Sequence, residues 1–285
     1  MQPKGTKKTL NCRGRLVDLT QPAVMGILNT TPDSFFANSR LPTNNATSVA
    51  VDMAGQMLAD GATFLDIGGY STRPGAAEVS STEEADRVLP VIEAIMAHFP
   101  DALISIDTFR AFVAQQAVLS GASLINDISG GTLDPTMFAT VAQLGVPYIL
   151  MHLRGTPQTM QSLATYQNLV MDVIDELGVR LAELRALGVK DIILDPGFGF
   201  AKTPAQNFLL LGQLDALCLF DEPLLVGLSR KTTIWKTLNT SADKALNGTT
   251  VLNTIALQKG ASILRVHDVR EAVEVVKLTQ QLTFF

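Results

Sequence analysis

Short apolar runs, each ending in a polar residue, recur along the whole chain. Ile192–Leu194 is a continuous apolar run that ends at Asp195, and Pro196 and two glycines follow it within four residues. A continuous rather than alternating run indicates a strand buried on both faces, as in a parallel sheet. Ligands bind at the carboxyl ends of such strands, so Asp195 is a candidate site residue.

Five further runs share this pattern, and two more apolar runs, 23–29 and 223–227, bring the number to eight. Most follow a glycine placed to end a preceding helix. The runs are 23–29, 62–66, 103–107, 123–127, 147–152, 223–227 and 262–267, and the glycines are Gly61, Gly121, Gly145, Gly188 and Gly260. Helical patterns cover 46–58, 81–98, 109–119, 136–144, 165–187, 204–217, 242–259 and 269–282. This alternation predicts an α/β fold, a (β/α)8 TIM barrel with right-handed crossovers in a single domain, 1–285.

The first residues and three long connections complete the predicted barrel. Two β-like runs around Arg13 and Gly14 predict an N-terminal β-hairpin, with residues 1–21 closing the bottom of the barrel. Long loops after Asn29, after Asp66 and over 152–164 follow strand ends, and long loops inside compact domains are usually lids or binding loops. The loops therefore predict a ligand site at one mouth.

Composition excludes several classes of protein. Hydrophobic residues make up 47% of the chain and charged residues 17%, which suits a large core and argues against disorder. The net charge of −5 and the lack of a basic face argue against a nucleic-acid partner, and the basic residues near the N-terminus are expected to be solvated. Two distant cysteines predict neither a disulfide framework nor a zinc site. No signal peptide or membrane span is expected, so we predict a cytoplasmic protein.

The polar residues at the predicted strand ends divide into two chemical kinds. Asp107, Asn126 and Asp195 can accept hydrogen bonds from a flat, donor-rich heterocycle. Donors and positive charge that suit a phosphate come from a second set: Asn29, Thr72, Arg73, Ser229, Arg265 and His267. The loops after the seventh and eighth strands are the usual phosphate site of these barrels.

Simpler interpretations are weighed beside these. An Asp at a strand end is often the N-cap of the next helix, and for Asp66 and Asp127 that role has at least equal weight. His98 is expected near a helix end at the surface, and His152 is expected to be hydrogen-bonded in the core. Neither 197–199 nor 227–232 has the glycine spacing of a dinucleotide fingerprint or a P-loop.

Five segments together carry a family resemblance: 25–35, 65–75, 195–200, 229–231 and 265–268. In sequence and order they resemble the dihydropteroate synthase family, over nearly the whole chain. The resemblance implies a (β/α)8 barrel that joins 6-hydroxymethyl-7,8-dihydropterin diphosphate to p-aminobenzoate in folate biosynthesis. It also implies Mg²⁺ as cofactor, a homodimer, and no nucleic-acid or membrane partner.

The same resemblance implies roles for individual residues. The implied catalytic residues are Lys231, Asp195 and Arg265. The implied pterin contacts are Asp107, Asn126, Asp195, Lys231, Phe200 and Gly227. The implied diphosphate contacts are Asn29, Thr72, Arg73, Ser229, Arg265 and His267, with Asn29 also the protein ligand of Mg²⁺. The implied p-aminobenzoate contacts are Phe35, Pro74, Phe200 and Thr232.

Two departures from the family pattern leave alternatives open. The family commonly has Glu where this chain has Tyr70, and an acidic residue where it has Ala37. Ala37 is consistent with a barrel that binds pterin without turning it over. A second alternative is a methyltransferase that moves a methyl group from tetrahydrofolate to a corrinoid, but such a protein does not need Thr72 and Arg73 or the 229–231 segment.

Overall fold

Strands and helices alternate along the chain in a computed structural model that describes residues 7–30, 46–71 and 78–282. The strands are β1 Thr9–Cys12, β2 Arg15–Asp18, β3 Ala23–Asn29, β4 Phe64–Gly68, β5 Ile104–Asp107, β6 Leu124–Asp127, β7 Tyr148–Met151, β8 Ile192–Asp195, β9 Leu225–Val226 and β10 Ile263–Val266. The α-helices are α1 Ala46–Ala59, α2 Ser81–His98, α3 Ala111–Ser120, α4 Met137–Leu144, α5 Leu169–Ala186, α6 Pro204–Gly212, α7 Thr232–Thr237, α8 Leu246–Gln258 and α9 Val269–Thr279.

Strands β3 to β10 form one parallel sheet in the order β8-β7-β6-β5-β4-β3-β10-β9. Its two edges meet through a parallel bridge between Leu194 and Leu224. The amide of Leu194 donates to the carbonyl of Pro223 across this junction at 2.9 Å. The sheet therefore closes on itself, and the predicted eight-stranded barrel is confirmed. β9 is shorter than the predicted run over 223–227 at both ends, and at its start Pro223 has no amide hydrogen to pair.

The predicted hairpin is present and packs on the inside of one barrel end. β1 and β2 pair antiparallel around Arg13 and Gly14. The buried side chains of the hairpin segment form one apolar cluster with inward residues near the amino ends of the barrel strands. Leu10 of the hairpin and Phe64 of β4 are both 0% exposed in this cluster. The amino end of the barrel is thus filled by hydrocarbon.

The basic segment at the N-terminus is more than a solvated tail. Lys7 Nζ lies 2.5 Å from Asp191 Oδ1, in the connection before β8. Arg15 donates to the carbonyl oxygen of Asp101 at 2.6 Å, in the connection before β5. Arg15 is exposed and Lys7 partly exposed, so both stay in contact with solvent as expected, and they also tie the hairpin to two barrel connections.

The helices surround the barrel, and the residues predicted to end them have the backbone geometry of helix ends. The five glycines predicted to end helices all have positive φ, from +65° at Gly145 to +128° at Gly121. Left-handed backbone of this kind costs glycine little, which is why glycine marks helix ends. Ser80, one residue before the predicted start, caps α2 by accepting from the amide of Glu83.

The helix predictions differ from the structure in several details. The helix predicted over 165–187 begins only at Leu169, after the cap Asn168, and that predicted over 269–282 ends at Thr279. The helix predicted over 204–217 ends at Gly212 and continues as a 3₁₀ segment, Leu214–Leu219, because glycine disfavours the helix interior. The helix predicted over 242–259 begins with a separate 3₁₀ turn, Ala242–Lys244. The short helix α7 was missed, since three of its six residues are threonine and no side chain caps it. Within the described ranges, no helix is long and apolar enough to cross a bilayer.

Candidate active site

Polar side chains line the inside of the barrel at the carboxyl ends of its strands. Asp66 lies on β4, Asp107 on β5, Asn126 on β6, Asp195 on β8 and Arg265 on β10. Alternate residues of a strand share one face, so these residues lie on the inner face, each two positions beyond an inward residue. Arg265 reaches Asp107 although β3 and β4 lie between their strands, which is possible only across the barrel interior.

Arg265 links two carboxylates in this mouth. Its Nε donates to Asp66 Oδ2 at 2.6 Å, and its terminal nitrogen donates to Asp107 Oδ2 at 2.6 Å. Asn126 donates to the same oxygen of Asp66 at 3.0 Å. Burial acts to lower the pKa of Arg265, but Asp66 and Asp107 outweigh it and raise that pKa above its ordinary value. Arg265 therefore stays charged.

The ionisation of the Asp107 carboxyl depends on its surroundings. Burial raises the pKa of this carboxyl to about 7, although Arg265 beside it acts to lower the pKa and Asp66 acts to raise it. Burial also raises the pKa of Asp195, while Lys231 and a hydrogen bond from the Gly197 amide, at 2.7 Å, oppose that shift. Both acids are thus poised to gain from a donor-rich ligand.

Lys231 reaches into the same mouth from the connection after β9. Its ammonium donates to the carbonyl oxygen of Phe198 and lies 4.7 Å from the centre of the Phe200 ring. Burial lowers the pKa of Lys231 to about 8, with Asp195 acting to raise it. Gly227 is adjacent, since a Cβ at that position would lie 3.9 Å from the Lys231 ammonium.

Ser229 and His267 form a second polar group at the rim. Ser229 Oγ lies 3.0 Å from His267 Nδ1 and accepts from the backbone amide of His267 at 3.1 Å. Arg230 turns away and pairs with Asp268 through bonds of 2.9 and 2.7 Å. The connections after β9 and β10 are thus tied together at the side of the mouth where these barrels hold phosphate.

The remaining predicted site residues are placed as follows. Asn29 is the last residue of β3, half-buried at the carboxyl end. Thr232 is the exposed first residue of α7. Phe35, Thr72, Arg73 and Pro74 lie outside the described residues, as does Ala37.

Neither Asp66 nor Asp127 is a helix N-cap, so that interpretation was wrong for both. Asp66 is fully buried and bound by Arg265 and Asn126. Asp127 accepts from the Tyr148 hydroxyl at 2.7 Å and from the backbone amides of Ser129 and Gly131. The position of an Asp at the end of a strand therefore does not show whether it caps the next helix or binds a side chain far away in the sequence.

Comparison with known proteins identifies the family. The family described as pterin binding enzyme matches residues 25–267. Dihydropteroate synthase of Escherichia coli is 42% identical over 273 residues, covering 95% of each chain. The chain belongs to the dihydropteroate synthase family. The Synechocystis sp. dihydropteroate synthase is 46% identical over 262 residues, 91% of this chain and 89% of the relative.

A solved structure agrees with this assignment. The dihydropteroate synthase of Xanthomonas albilineans with 4-aminobenzoic acid superposes with a TM-score of 0.89 at 38% identity. The match covers 98% of this chain and 100% of that chain. The predicted family and barrel are therefore both confirmed.

Tyr70, which departs from the family pattern, belongs to an aromatic cluster on the rim. Its ring meets the Phe109 ring edge-on with centroids 5.2 Å apart, and the Arg110 guanidinium lies 5.2 Å from the Tyr70 ring centre. Gln158 donates to the Tyr70 hydroxyl at 3.3 Å. Tyr70 thus joins the connections after β4, β5 and β7, which a single-position comparison with the family did not reveal.

Sequence reasoning missed one charged residue close to the site. Lys202 is 3% exposed and lies directly behind the turn that follows Asp195. The available signal was a lysine two residues beyond Phe200 in a glycine-rich, otherwise uncharged segment. Lysine is almost never fully buried without a partner, so its burial is visible only in three dimensions.

Proposed function

We propose that the chain condenses 6-hydroxymethyl-7,8-dihydropterin diphosphate with p-aminobenzoate to give 7,8-dihydropteroate and diphosphate. The chain is a transferase of folate biosynthesis by its family. The observation that carries the proposal is that acids, an amide and cations converge in one barrel mouth. These residues are Asp107, Asn126, Asp195, Arg265 and Lys231. The acceptors suit a flat heterocycle, and the cations suit its anionic tail.

The ring end of the substrate is assigned to the inner part of the mouth. Asp107, Asn126 and Asp195 offer acceptors to ring N–H groups, and the raised pKa of each acid is relieved by such donors. Phe200 offers an aromatic face, and Gly227 leaves space beside Lys231. The proposed pterin contacts are Asp107, Asn126, Asp195, Lys231, Phe200 and Gly227.

The anionic end is assigned to the rim. Ser229 and His267 lie 3.0 Å apart there. Arg265, two residues before His267 in the chain, contacts the acids on β4 and β5. Arg265 would therefore serve both halves of the substrate. The proposed diphosphate contacts are Asn29, Thr72, Arg73, Ser229, Arg265 and His267. The proposed p-aminobenzoate contacts are Phe35, Pro74, Phe200 and Thr232.

The proposed contacts give each residue a part in the reaction. The bond between the pterin methylene carbon and oxygen breaks, and its electron pair leaves with diphosphate. Arg265 stabilises the departing charge as a preorganised cation, while Asp107 and Asp195 favour the positive charge that develops on the ring. The nitrogen of the aryl amine then bonds to the methylene carbon and gives up a proton to water. Lys231, beside the Phe200 ring, positions the two substrates, so no strong base is needed.

Mg²⁺ is part of the proposal, with Asn29 as its protein ligand. Within the described residues no group of three or more His, Cys, Asp or Glu side chains could hold a metal by itself. Asn29, half-buried at the carboxyl end of β3, supplies one amide oxygen. A single such oxygen fits Mg²⁺, which often keeps several waters and binds few protein oxygens together with substrate phosphates. When bound, the ion would neutralise charge on the diphosphate.

A homodimer through α8 and α9 is also proposed. These helices pack on each other, and Val251 on α8 is 50% exposed and Leu278 on α9 is 71% exposed. Burying such apolar surface favours association. Leu278→Glu should shift the protein to monomer in light scattering, and an unchanged mass would contradict this interface.

A cytoplasmic location completes the proposal. Cys12 and Cys218 are both free thiols, which suits a reducing compartment. Fractionation of cells that express the tagged chain should recover it with cytoplasmic markers, and recovery in a membrane or secreted fraction would exclude this location.

One assay tests the proposed reaction directly. Diphosphate release from the pterin substrate should require p-aminobenzoate for sustained turnover, and dihydropteroate should form in equal amount. The purified chain should also bind the pterin in calorimetry. Binding without turnover would favour the silent barrel, and the absence of both would exclude the proposal.

A further inference from the structure

The buried ammonium of Lys202 is saturated by neutral acceptors. It lies 3.0 Å from His152 Nδ1, 3.1 Å from the carbonyl oxygen of Gly197 and 3.1 Å from that of Phe200. An ammonium has three hydrogens, and each has one of these acceptors. Burial lowers the pKa of Lys202 to about 7, although Asp195 acts to raise it. Burying a charge costs free energy, and the three acceptors offset part of that cost for Lys202.

The two carbonyls bound by Lys202 mark the two ends of one turn. A backbone hydrogen bond of 3.1 Å from the Phe200 amide to the Gly197 carbonyl closes the same turn. Gly197 has φ +71°, and a Cβ there would lie 2.1 Å from the carbonyl oxygen of His152. The backbone therefore lies closer to His152, the residue after β7, than any residue with a Cβ could, and Lys202 binds the carbonyls at both ends of the turn.

The front of this turn faces the proposed pterin site. The Gly197 amide donates to Asp195, the Phe198 carbonyl accepts from Lys231, and the Phe200 ring lies beside the Lys231 ammonium. Movement of the turn would thus displace three proposed contacts together. The charge of Lys202 is also among those that favour ionised Asp195.

His152 and Glu176 orient the lysine from the side away from the mouth. His152 Nε2 lies 3.0 Å from Glu176 Oε2, so the ring donates there and accepts from Lys202 at Nδ1. Burial lowers the pKa of His152 to about 4, which keeps the ring neutral and Nδ1 an acceptor near neutral pH. Arg154 holds Glu176 with a bond of 2.9 Å. The network is specific and extends from α5 to the turn.

We infer that Lys202 is a positioning residue for the pterin half of the site, acting through the 197–200 turn without touching substrate. The inference rests on the proposed function, because the turn matters only if Asp195, Lys231 and Phe200 hold the pterin. A merely structural lysine would lower stability and affect all ligands equally. A positioning lysine affects the ring and spares the anionic tail.

The test compares Lys202→Met with Lys190→Met, a matched change at an exposed lysine before β8. For Lys202→Met we expect the affinity for a pterin lacking phosphates to fall about tenfold, as for a lost bond to a charged group. The KM for the pterin substrate should rise similarly, while the affinity for inorganic diphosphate stays within twofold. Lys190→Met should match the unaltered chain. Unchanged pterin affinity, or equal losses for pterin and diphosphate, would overturn the inference.

A second pair of variants serves if Lys202→Met does not fold. His152→Leu removes an acceptor of Lys202, whereas His152→Gln keeps one, so the leucine variant should lose more pterin affinity. Equal losses would contradict the proposed network. Hydrogen exchange over 196–203 should accelerate in His152→Leu before any ligand is added. If the unaltered chain neither binds pterin nor turns it over while this acceleration is seen, the proposed function fails and the turn anchor stands.

Discussion

At the amino end of the barrel, Phe64 and Ile193 point inward and pack against the N-terminal hairpin. Two residues further along the same strands, Asp66 and Asp195 point into the mouth, where both are buried. Along each of these strands, a distance of two residues therefore separates apolar packing from a cluster of charged side chains. The comparison teaches that stability and ligand binding are built into the same strands at opposite ends.

The two ends also differ in what holds them together. The amino end gains from burial of apolar area, which needs no precise partners. The carboxyl end depends on matched charges, since an unpaired buried charge is strongly destabilising. Changes at the amino end should therefore alter stability alone, and changes at the mouth should alter stability, binding or pH response according to the partner removed.

The largest effect is expected for Arg265→Ala. Removing the guanidinium leaves Asp66, 0% exposed, and Asp107, 18% exposed, without their cation. Breaking a buried pair in this way should lower the free energy of unfolding by roughly 3–5 kcal/mol. Urea unfolding measures the change, and turnover should fall as well.

Arg270→Ala is the matched control for that variant. Arg270 is 74% exposed and pairs with Glu274 on the surface of α9. The loss expected for an exposed pair is about 0.3–0.5 kcal/mol. Similar losses for the two arginines would mean that the mouth does not depend on matched charge.

A slightly smaller effect is expected at the other end from Leu10→Ala. Leu10 is 0% exposed within the cluster that fills the amino end, so the change should lower the free energy of unfolding by roughly 2–5 kcal/mol. The KM values should not change. Leu16→Ala, at a 73% exposed position of the same hairpin, should be nearly neutral. A raised KM in Leu10→Ala would contradict the separation of the two ends.

Asp195→Asn should act mainly on binding. It replaces an acceptor of a charged hydrogen bond, and we expect the pterin affinity to fall by roughly 1.5–3 kcal/mol in calorimetry. Asp175→Asn, at an exposed position of α5, is the control. Equal affinity for Asp195→Asn and the unaltered chain would remove Asp195 from the proposed ring contacts.

The smallest effect concerns pH and His152 at the end of β7. Burial lowers the pKa of His152 from 6.5 to about 4, so the unfolded chain binds a proton more readily between these values. This contribution to stability is fully present above pH 6.5 and is lost as the pH falls toward 4. At pH 5.5 the loss relative to neutral pH is about 1 kcal/mol.

His152→Gln should flatten the decline in unfolding free energy over that pH range. His98→Gln, at an exposed histidine that ends α2, should leave the decline unchanged. Parallel curves for all three proteins would show that His152 does not titrate as its burial requires.

Much of the fold could be predicted because its signals are local. A glycine after a helical pattern and an apolar run before an acid recur at short spacing, and both reflect backbone geometry that a few residues determine. Helix α7 escaped prediction because threonine has weak helix propensity and tertiary context holds the segment. The extent of the single domain over 1–285 and the roles of the individual site residues stay predictions.

The site could be predicted only as a set of residues without its pairings. Arg265 and Asp107 are 158 positions apart, and Lys202 and His152 are 50 apart, so no local pattern joins them. Asp66 resembled a helix cap in sequence because a strand-end carboxylate suits either role.

The sequence by itself determined the alternation of strands and helices, the family, and which residue types stand at strand ends, because short-range sterics and side-chain period suffice for each. Only the tertiary structure decided that Arg265 bridges Asp66 and Asp107 and that Lys202 is buried behind the Asp195 turn. Closure of the barrel places distant side chains within 3 Å of each other. Burial in that closed space then shifts their pKa values, which no linear pattern encodes.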